Sequence, residues 1–236
     1  RLAAPSLLVD LRKVPGLHGI ERQNGSWRIG ALTSYRTLEF SPELGVVSQV
    51  AATVADPQVR YMGTIGGSVA HADPSADYPG ALVALEAHIR LRSARGERTV
   101  EASEFFLDAF TTAMEAGEIV VAIEIAAEDP DEGYKYEKVP HPASGFPVVG
   151  VAVRVRKTGA GIAMARIGVT GMGPRAFRAR NAEALLEGGA GAAVAAGVVG
   201  EGEETNSDLY ASGDYRRHLA RVHTARAIAA ALARAS

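Results

Sequence analysis

Between Arg60 and Gly80 the chain loses every regular hydrophobic period. The run Arg60-Tyr61-Met62-Gly63-Thr64-Ile65-Gly66-Gly67-Ser68-Val69-Ala70-His71-Ala72-Asp73-Pro74-Ser75-Ala76-Asp77-Tyr78-Pro79-Gly80 carries four glycines and two prolines. Glycine gives up more backbone entropy on ordering than any other residue, and proline removes a donor and fixes φ. A segment of this kind predicts an irregular stretch rather than a helix or strand, set inside a frame that must be regular elsewhere. Glycine is abundant throughout, with 26 in 236 residues.

The flanks supply that frame. Leu7-Leu8-Val9-Asp10-Leu11 predicts a short strand closed by Pro15-Gly16. Ile20 to Gln23 and Trp27 to Ala31 flank Asn24-Gly25, a pair suited to a tight hairpin. Ser41-Pro42-Glu43 predicts the start of a helix running through Val50 toward Val54, with a capping serine and an early proline, and Asp56-Pro57 predicts its end. Helical signals resume from Leu82 to Ala87. Ile89 to Leu91 and Arg98 to Val100 predict a strand pair turning at Arg95-Gly96, and Glu118 to Ile125 a half-buried strand. Asp129-Pro130-Asp131-Glu132-Gly133 is rich in turn formers and marks the boundary between a unit at 1–128 and a second at 133–236. Beyond it, Val148 to Arg156 and Ile162 to Thr170 alternate around Thr158-Gly159-Ala160-Gly161 as a second hairpin. Gly188 to Gly200 is a small-residue helix or loop. Asp208 to Ala233 is helical, with Leu209, Tyr215, Leu219, Val222 and Ile228 as buried anchors. The coarse organisation is α/β followed by a smaller antiparallel α+β unit.

Several function classes are excluded or disfavoured. With no cysteine, the chain has no disulfide framework, no cysteine nucleophile and no thiolate to hold an iron–sulfur cluster. Twenty-five basic and 27 acidic residues give a net charge of −2, which provides no global attraction to nucleic acid or acidic membranes. No apolar run is long enough to span a bilayer, so a cytoplasmic protein is expected.

Chemistry concentrates in the irregular stretch. Gly66-Gly67 lets backbone approach a ligand and expose consecutive amides to an anion, with Thr64 and Ser68 adding hydroxyl donors. No lysine follows as in a Walker loop, and the spacing is not that of the G-x-G-x-x-G fingerprint. His71, Asp73 and Asp77 are competent metal ligands, but their spacing matches no metal motif, and Asp73-Pro74 as a turn with Asp77 as a helix cap is the favoured reading.

These residues also carry a resemblance. Val59-Arg60, Thr64-Ile65-Gly66-Gly67-Ser68, Ala70-His71-Ala72-Asp73-Pro74 and Asp77-Tyr78-Pro79 resemble the second flavin-binding stretch of the FAD-binding medium subunits of molybdenum hydroxylases. The likeness is to the carbon monoxide dehydrogenase type, related to the flavin domain of xanthine dehydrogenase. It extends to Arg1 through Leu11, to Ile29-Gly30-Ala31-Leu32-Thr33, to Tyr136-Glu137-Lys138, to Val148 through Ala152, to Gly168 through Gly171 and to Asp208 through Arg221. It implies an α+β, two-domain FAD-binding fold of the PCMH and vanillyl-alcohol-oxidase-like type, with a C-terminal antiparallel sheet plus helices. Thr64, Ile65, Gly66, Gly67 and Ser68 would lie on the FAD pyrophosphate and Asp77 near the ribityl and isoalloxazine end. Lys138 would approach the flavin ring, and Phe146 would cover a ring face where relatives place tyrosine. No catalytic or metal residue is implied in this chain. The family's first glycine-rich loop, A-G-G-x-S, precedes the matched region, so flavin contacts from the sequence in hand are expected to be incomplete.

The resemblance further implies a large partner carrying the molybdenum cofactor and a small partner carrying 2Fe–2S clusters, assembled as a dimer of heterotrimers. FAD would pass electrons from those clusters to an external acceptor. A flavin-free scaffold subunit and an independent flavin oxidoreductase of the wider fold are the alternatives. Two expectations follow for the structure. The 64–68 stretch and Asp77 should face a cleft between the two units, and a bulky residue at Gly66 or Gly67 should expel ligand without unfolding the chain. The basic residues Arg216, Arg217, Arg221 and Arg226 form a helical face, either solvated or paired with an acidic partner surface.

Overall fold

Asn24 and Gly25 stand at φ 50° and 78°, the two left-handed positions that a tight hairpin turn demands. They join β1 (Ile20–Gln23) to β2 (Ser26–Gly30) in the register Gln23 opposite Ser26. This computed structural model describes residues 5–127, 129–159 and 161–235; Arg1 to Ala4 of the opening resemblance and Ala160 of the second hairpin lie outside them. After β2 come α1 (Tyr35–Glu39), α2 (Val46–Thr53), α3 (Pro57–Met62), α4 (Ile65–His71) and α5 (Asp77–Ala84). The hairpin predicted at Arg95-Gly96 follows as β3 (His88–Ser93) and β4 (Gly96–Glu101). A short α6 (Ala102–Phe105) and the two-stranded β5 (Phe106–Asp108) and β6 (Thr111–Thr112) lead to β7 (Ile119–Ala126). The five-stranded sheet has the order β1-β2-β7-β3-β4, and its neighbouring strands run antiparallel. Ile29, Ile89, Leu91 and Ile123 from this sheet pack with Val47, Val50, Leu82 and Phe105 into one core.

Three local expectations change. Leu7, Leu8 and Val9 form no strand and lie exposed. Ser41 does not cap a long helix: its hydroxyl donates to the Thr37 carbonyl, residues 42–44 make one 3₁₀ turn, and Gly45 (φ 55°) resets the chain before α2. Strand β7 is buried at every position from Val120 to Ile123, because it is the central strand between β2 and β3.

The second sheet has the order β11-β10-β9-β8, with β8 (Glu132–Pro140), β9 (Pro147–Thr158), β10 (Gly161–Thr170) and β11 (Phe177–Arg178). The residues Asp131 and Glu132, read as boundary loop, thus lead straight into a strand. Helices α7 (Arg180–Glu187), α8 (Ala192–Gly197) and α9 (Gly213–Leu232) follow. Val151, Val153, Ile167 and Val169 meet Leu186, Ala220 and Ile228 in a second core. Ser212 caps α9 by accepting from the Tyr215 amide. Of the anchors predicted there, Leu219 and Ile228 are buried and Val222 half-buried, whereas Leu209 and Tyr215 are exposed. The basic residues of α9 are largely internal latches. Arg216 is buried and donates to the Val148 and Gly171 carbonyls and to Asp208, while Arg217 and Arg221 reach the carbonyls of Gly200 and Val199.

The two cores meet through α5, every residue of which is buried. A helix apolar on all sides belongs inside a protein, and this one is held from the second sheet: the Thr170 hydroxyl donates to the carbonyls of Pro74 (3.0 Å) and Ala76 (2.8 Å). Gly168 on β10 admits the Gly80 carbonyl where a Cβ would collide with it.

At the edge of the first sheet, Arg98 clasps the Glu118 carboxylate at 2.7 and 2.9 Å. The Arg98 hydrogen bonds, with the Glu115 amide, hold that carboxyl down from its ordinary 4.5 to about 2. A carboxyl that binds its proton less tightly in the folded state stabilises the fold above the unfolded value and loses that contribution as pH falls. Glu118→Gln is therefore expected to flatten the acid limb of a stability–pH curve between pH 4.5 and about 2; an unchanged limb would show that the clasp contributes nothing.

Candidate functional site

The stretch that looks least regular in sequence is a run of capped short helices. Asp56 accepts from the Val59 amide at 2.9 Å and Pro57 occupies the first position of α3. Thr64 accepts from the Gly67 amide at 3.1 Å and opens α4; Ala72, at φ 49°, ends it. Asp73 accepts from the Ser75 amide at 2.8 Å, and Asp77 begins α5. Of the two prolines in the stretch, Pro79 lies in a first turn, where the missing N–H would have had no helical partner, and Pro74 lies in the turn between α4 and α5. The expectation of an irregular stretch is corrected on these grounds.

The amides of 65–68 are committed within the chain. Ile65 donates to the Thr33 carbonyl (3.2 Å), Gly66 to Ala31 (2.8 Å), Gly67 to the Thr64 hydroxyl and Ser68 to the Thr64 carbonyl (3.1 Å). The concavity of free amides expected from Gly-Gly is absent. Ile65 is a core side chain. Neither glycine takes positive φ, and a Cβ on Gly66 would strike Ala31, its carbonyl oxygen lying 2.6 Å away. The smallness of Gly66 therefore serves the docking of α4 onto the end of β2. Thr64 and Ser68 are half-buried and Gly67 is exposed, so these three form the outward part of the turn.

Asp77 and Lys138, 61 residues apart, form a buried pair: Lys138 Nζ donates to Asp77 Oδ1 at 2.9 Å, and the two side chains are 8% and 6% exposed. The Tyr136 hydroxyl donates to the same oxygen at 2.8 Å. Burial pushes the Asp77 carboxyl above its ordinary range, against the pull of the Lys138 charge and of the hydrogen bonds from Lys138 and Tyr136. Lys138 Nζ also donates to the Gly145 carbonyl at 2.9 Å, which ties down the turn between β8 and β9 in which His141 and Phe146 bond through the backbone. Phe146, at the end of that turn, is 45% exposed.

Phe146, Asp77 and Ser68 meet at one cleft of about 260 Å³. Its other walls include Tyr35, Val54, Gly63 and Tyr78, and its lining is mainly apolar with a few hydroxyls and one carboxylate, the usual make-up of a small-molecule site. Tyr35 and Tyr78 stack at 5.3 Å, and burial pushes the Tyr35 hydroxyl pKa up, against the pull of nearby Ser68. Lys138 faces an adjoining hollow with Thr53, Asp56 and Ser144. Thr64, Ile65, Gly66 and Gly67 are not among the cleft's lining residues. His71 is exposed and meets Phe110 in a tilted ring contact at 5.1 Å. Among the described residues no cluster of three or more His, Cys, Asp or Glu side chains is placed to hold a metal, and no helix is long and apolar enough to cross a membrane. A polar hollow of about 270 Å³ beside Arg178 to Ala182 shares no residue with the cleft. Tyr78 and Tyr136 stand in segments that carry the resemblance but had no role there, and Tyr35 carries no signal; only the structure brings the three together.

Comparison with known proteins defines the class. Residues 1–127 match the FAD binding domain in molybdopterin dehydrogenase, and residues 134–231 match the CO dehydrogenase flavoprotein C-terminal domain. The chain thus belongs to the FAD-binding medium subunits of the molybdenum hydroxylases, a family of oxidoreductase subunits, and has their α+β fold. It is 36% identical to the carbon monoxide dehydrogenase medium chain of Hydrogenophaga pseudoflava, over 99% of this chain and 84% of that one. It is 34% identical to the 6-hydroxypseudooxynicotine dehydrogenase complex subunit alpha of Paenarthrobacter nicotinovorans, over 100% and 82%. Among solved structures, carbon monoxide dehydrogenase from Hydrogenophaga pseudoflava, in a form lacking the Mo-pyranopterin moiety, aligns with a TM-score of 0.96 at 37% identity, over 100% of this chain and 85% of that one. Quinoline 2-oxidoreductase from Pseudomonas putida 86 aligns with a TM-score of 0.92 at 33% identity, over 100% and 85%.

Proposed function

We propose that this chain binds FAD at the cleft between α4, α5 and the 141–146 turn, and passes electrons from 2Fe–2S centres on a small partner to an external acceptor. A large partner would hold the molybdenum cofactor, in a dimer of heterotrimers working in the cytoplasm. The carrying observation is the cleft itself, apolar in its walls and joining Ser68 and Asp77 from one half of the chain to Phe146 from the other. The division into units at 1–128 and 133–236 is part of this proposal, supported by the two cores and the two family matches.

The residues fit a flavin. A planar heteroaromatic ring needs apolar faces and polar partners at its edges; Phe146 and the tyrosine pair supply the first and Asp77 the second. When bound, FAD supplies single-electron acceptance coupled to two-electron release, while the protein positions and tunes it. In this chain, Thr64 and Ser68 offer hydroxyls at the positive end of α4 for the pyrophosphate. Asp77, fixed by Lys138 and Tyr136, offers its carboxylate to a ring or ribityl donor. Lys138 holds the 141–146 turn so that Phe146 covers the ring. The lack of cysteine in this sequence agrees with clusters carried on another chain.

The test is the purified complex. It is expected to show visible flavin absorption that substrate bleaches, while the isolated subunit shows no substrate turnover. A complex that turns over without flavin would make this chain a scaffold. Turnover by the isolated subunit would make it an independent oxidoreductase.

A further inference from the structure

The link between α2 and α3 is short and strained, and it stands in the wall of the cleft. Val54, Ala55 and Asp56 connect the two helices, and Val54 and Ala55 line the cleft. Ala55 also lines the adjoining hollow that Lys138 faces. A proline keeps the residue before it extended, and Asp56, before Pro57, lies at φ −104° and ψ 170°. Ala55 is left to turn the chain, at φ 38°. In that left-handed conformation a Cβ crowds the backbone, so the position favours glycine. A residue with a side chain stays there only where its surroundings impose it, and such residues gather at functional sites.

Arg60 imposes it here. Its side chain is 12% exposed, and one guanidinium nitrogen donates to the carbonyls of both Val54 (2.9 Å) and Ala55 (3.0 Å). Its Nε donates to Glu39 at 3.1 Å, which anchors the guanidinium from α1. Ala55 in turn abuts the turn that carries Phe146: a Cβ on Gly145 would lie 3.6 Å from the Ala55 Cα. The Gly145 carbonyl is the one that Lys138 holds, so both sides of this contact are fixed by buried cations.

We infer that Arg60 is a positioning residue for the cleft's ligand: it holds Ala55 left-handed and so sets the wall against which the flavin packs. Arg60 is not itself among the lining residues and acts through the backbone of Val54 and Ala55. This inference rests on the flavin reading above. Without the guanidinium both carbonyls are released, and alanine at position 55 returns to negative φ and moves the wall. Ala55→Gly removes that drive, because glycine takes positive φ as readily as negative.

The experiment strips FAD from the assembled complex and measures its Kd on re-addition for wild type, Arg60→Met, Ala55→Gly and the double variant. Arg60→Met is expected to bind FAD about tenfold more weakly than wild type, and Ala55→Gly alone like wild type. The double variant should recover to within about threefold of Ala55→Gly. Glycine adds no contact, so recovered binding reports the conformation of residue 55 rather than restored stability. If Arg60→Met does not assemble, Arg60→Lys takes its place, with an expected loss of about fivefold, since one ammonium cannot reproduce the guanidinium's bonds to Glu39 and to both carbonyls. An Arg60 variant within twofold of wild type overturns the inference and leaves the flavin reading standing. A double variant that binds no better than the Arg60 variant alone overturns it too, as does a loss with Ala55→Gly alone, which would make the Ala55 side chain the contact. Failure of the wild-type complex to contain or rebind FAD removes the flavin reading and this inference with it.

Discussion

Gly66→Val is expected to lower the melting temperature of the subunit by about 10 °C, whereas Gly67→Val should melt close to wild type and carry less FAD. The two neighbours differ because of what surrounds them. A Cβ on Gly66 points at Ala31, whose carbonyl also accepts the Gly66 amide at 2.8 Å, so neither α4 nor the end of β2 can move without breaking that bond. Overpacking a rigid site costs about 1–3 kcal/mol, more where backbone must shift, and each kcal/mol is worth roughly 2–4 °C in a chain of this size. Gly67 is exposed, and a Cβ there meets only the Thr64 hydroxyl at 2.9 Å. Thermal denaturation and bound FAD per complex, measured on both variants, separate the effects. A Gly66→Val protein as stable as wild type would refute the packing role, and full FAD in Gly67→Val would remove the turn from the flavin site. The expectation that either glycine could be enlarged without unfolding is thereby corrected for Gly66.

Lys138→Met should be the most damaging single change among the polar residues. It strands the Asp77 carboxylate, 6% exposed, with the Tyr136 hydroxyl as its remaining side-chain donor, and breaking one side of a buried pair costs about 3–5 kcal/mol. It also releases the Gly145 carbonyl, so Phe146 should lose its fixed position and FAD its cover. The pH dependence has a definite sign. A carboxyl with a raised native pKa binds its proton more tightly folded than unfolded. Its favourable contribution is complete below the unfolded value, ordinarily 3.8, and is lost as pH rises through the native value. Removing the lysine raises that native value further. Lys138→Met should therefore lose stability with rising pH more steeply than wild type, and the double variant Asp77→Asn/Lys138→Met should not. Chemical denaturation at a series of pH values measures this; parallel curves for Lys138→Met and wild type would mean that Lys138 does not govern Asp77.

How much of this was legible before the structure depends on whether a residue's partner lies nearby in the chain. Asn24-Gly25 and Arg95-Gly96 announce their hairpins because turn geometry is local. The final helix, expected from Asp208, begins only at Gly213 behind its Ser212 cap. The Gly/Pro stretch has an irregular composition but regular positions: Pro79 sits where a helix tolerates proline, Pro74 falls between two helices, and Thr64 is a cap. Arg216 looked like surface because its acceptors, the carbonyls of Val148 and Gly171, are 68 and 45 residues away. Asp77 and Lys138 were each singled out, yet nothing in either segment says that they bond to one another. Leu7 to Val9 have strand-like residues but join no strand among the described residues and lie exposed.

The placement of α5 bears on how such a chain can change over generations. The two family matches part between residues 127 and 134, but the contacts do not. Gly80 and Gly168 abut, Thr170 holds Pro74 and Ala76, and Asp77 needs Lys138. The seam in space thus runs through the middle of the helix that walls the cleft. Recombination between relatives at the sequence seam would join an α5 from one lineage to a sheet tuned to another, so the halves are bound to drift as a pair rather than as exchangeable modules.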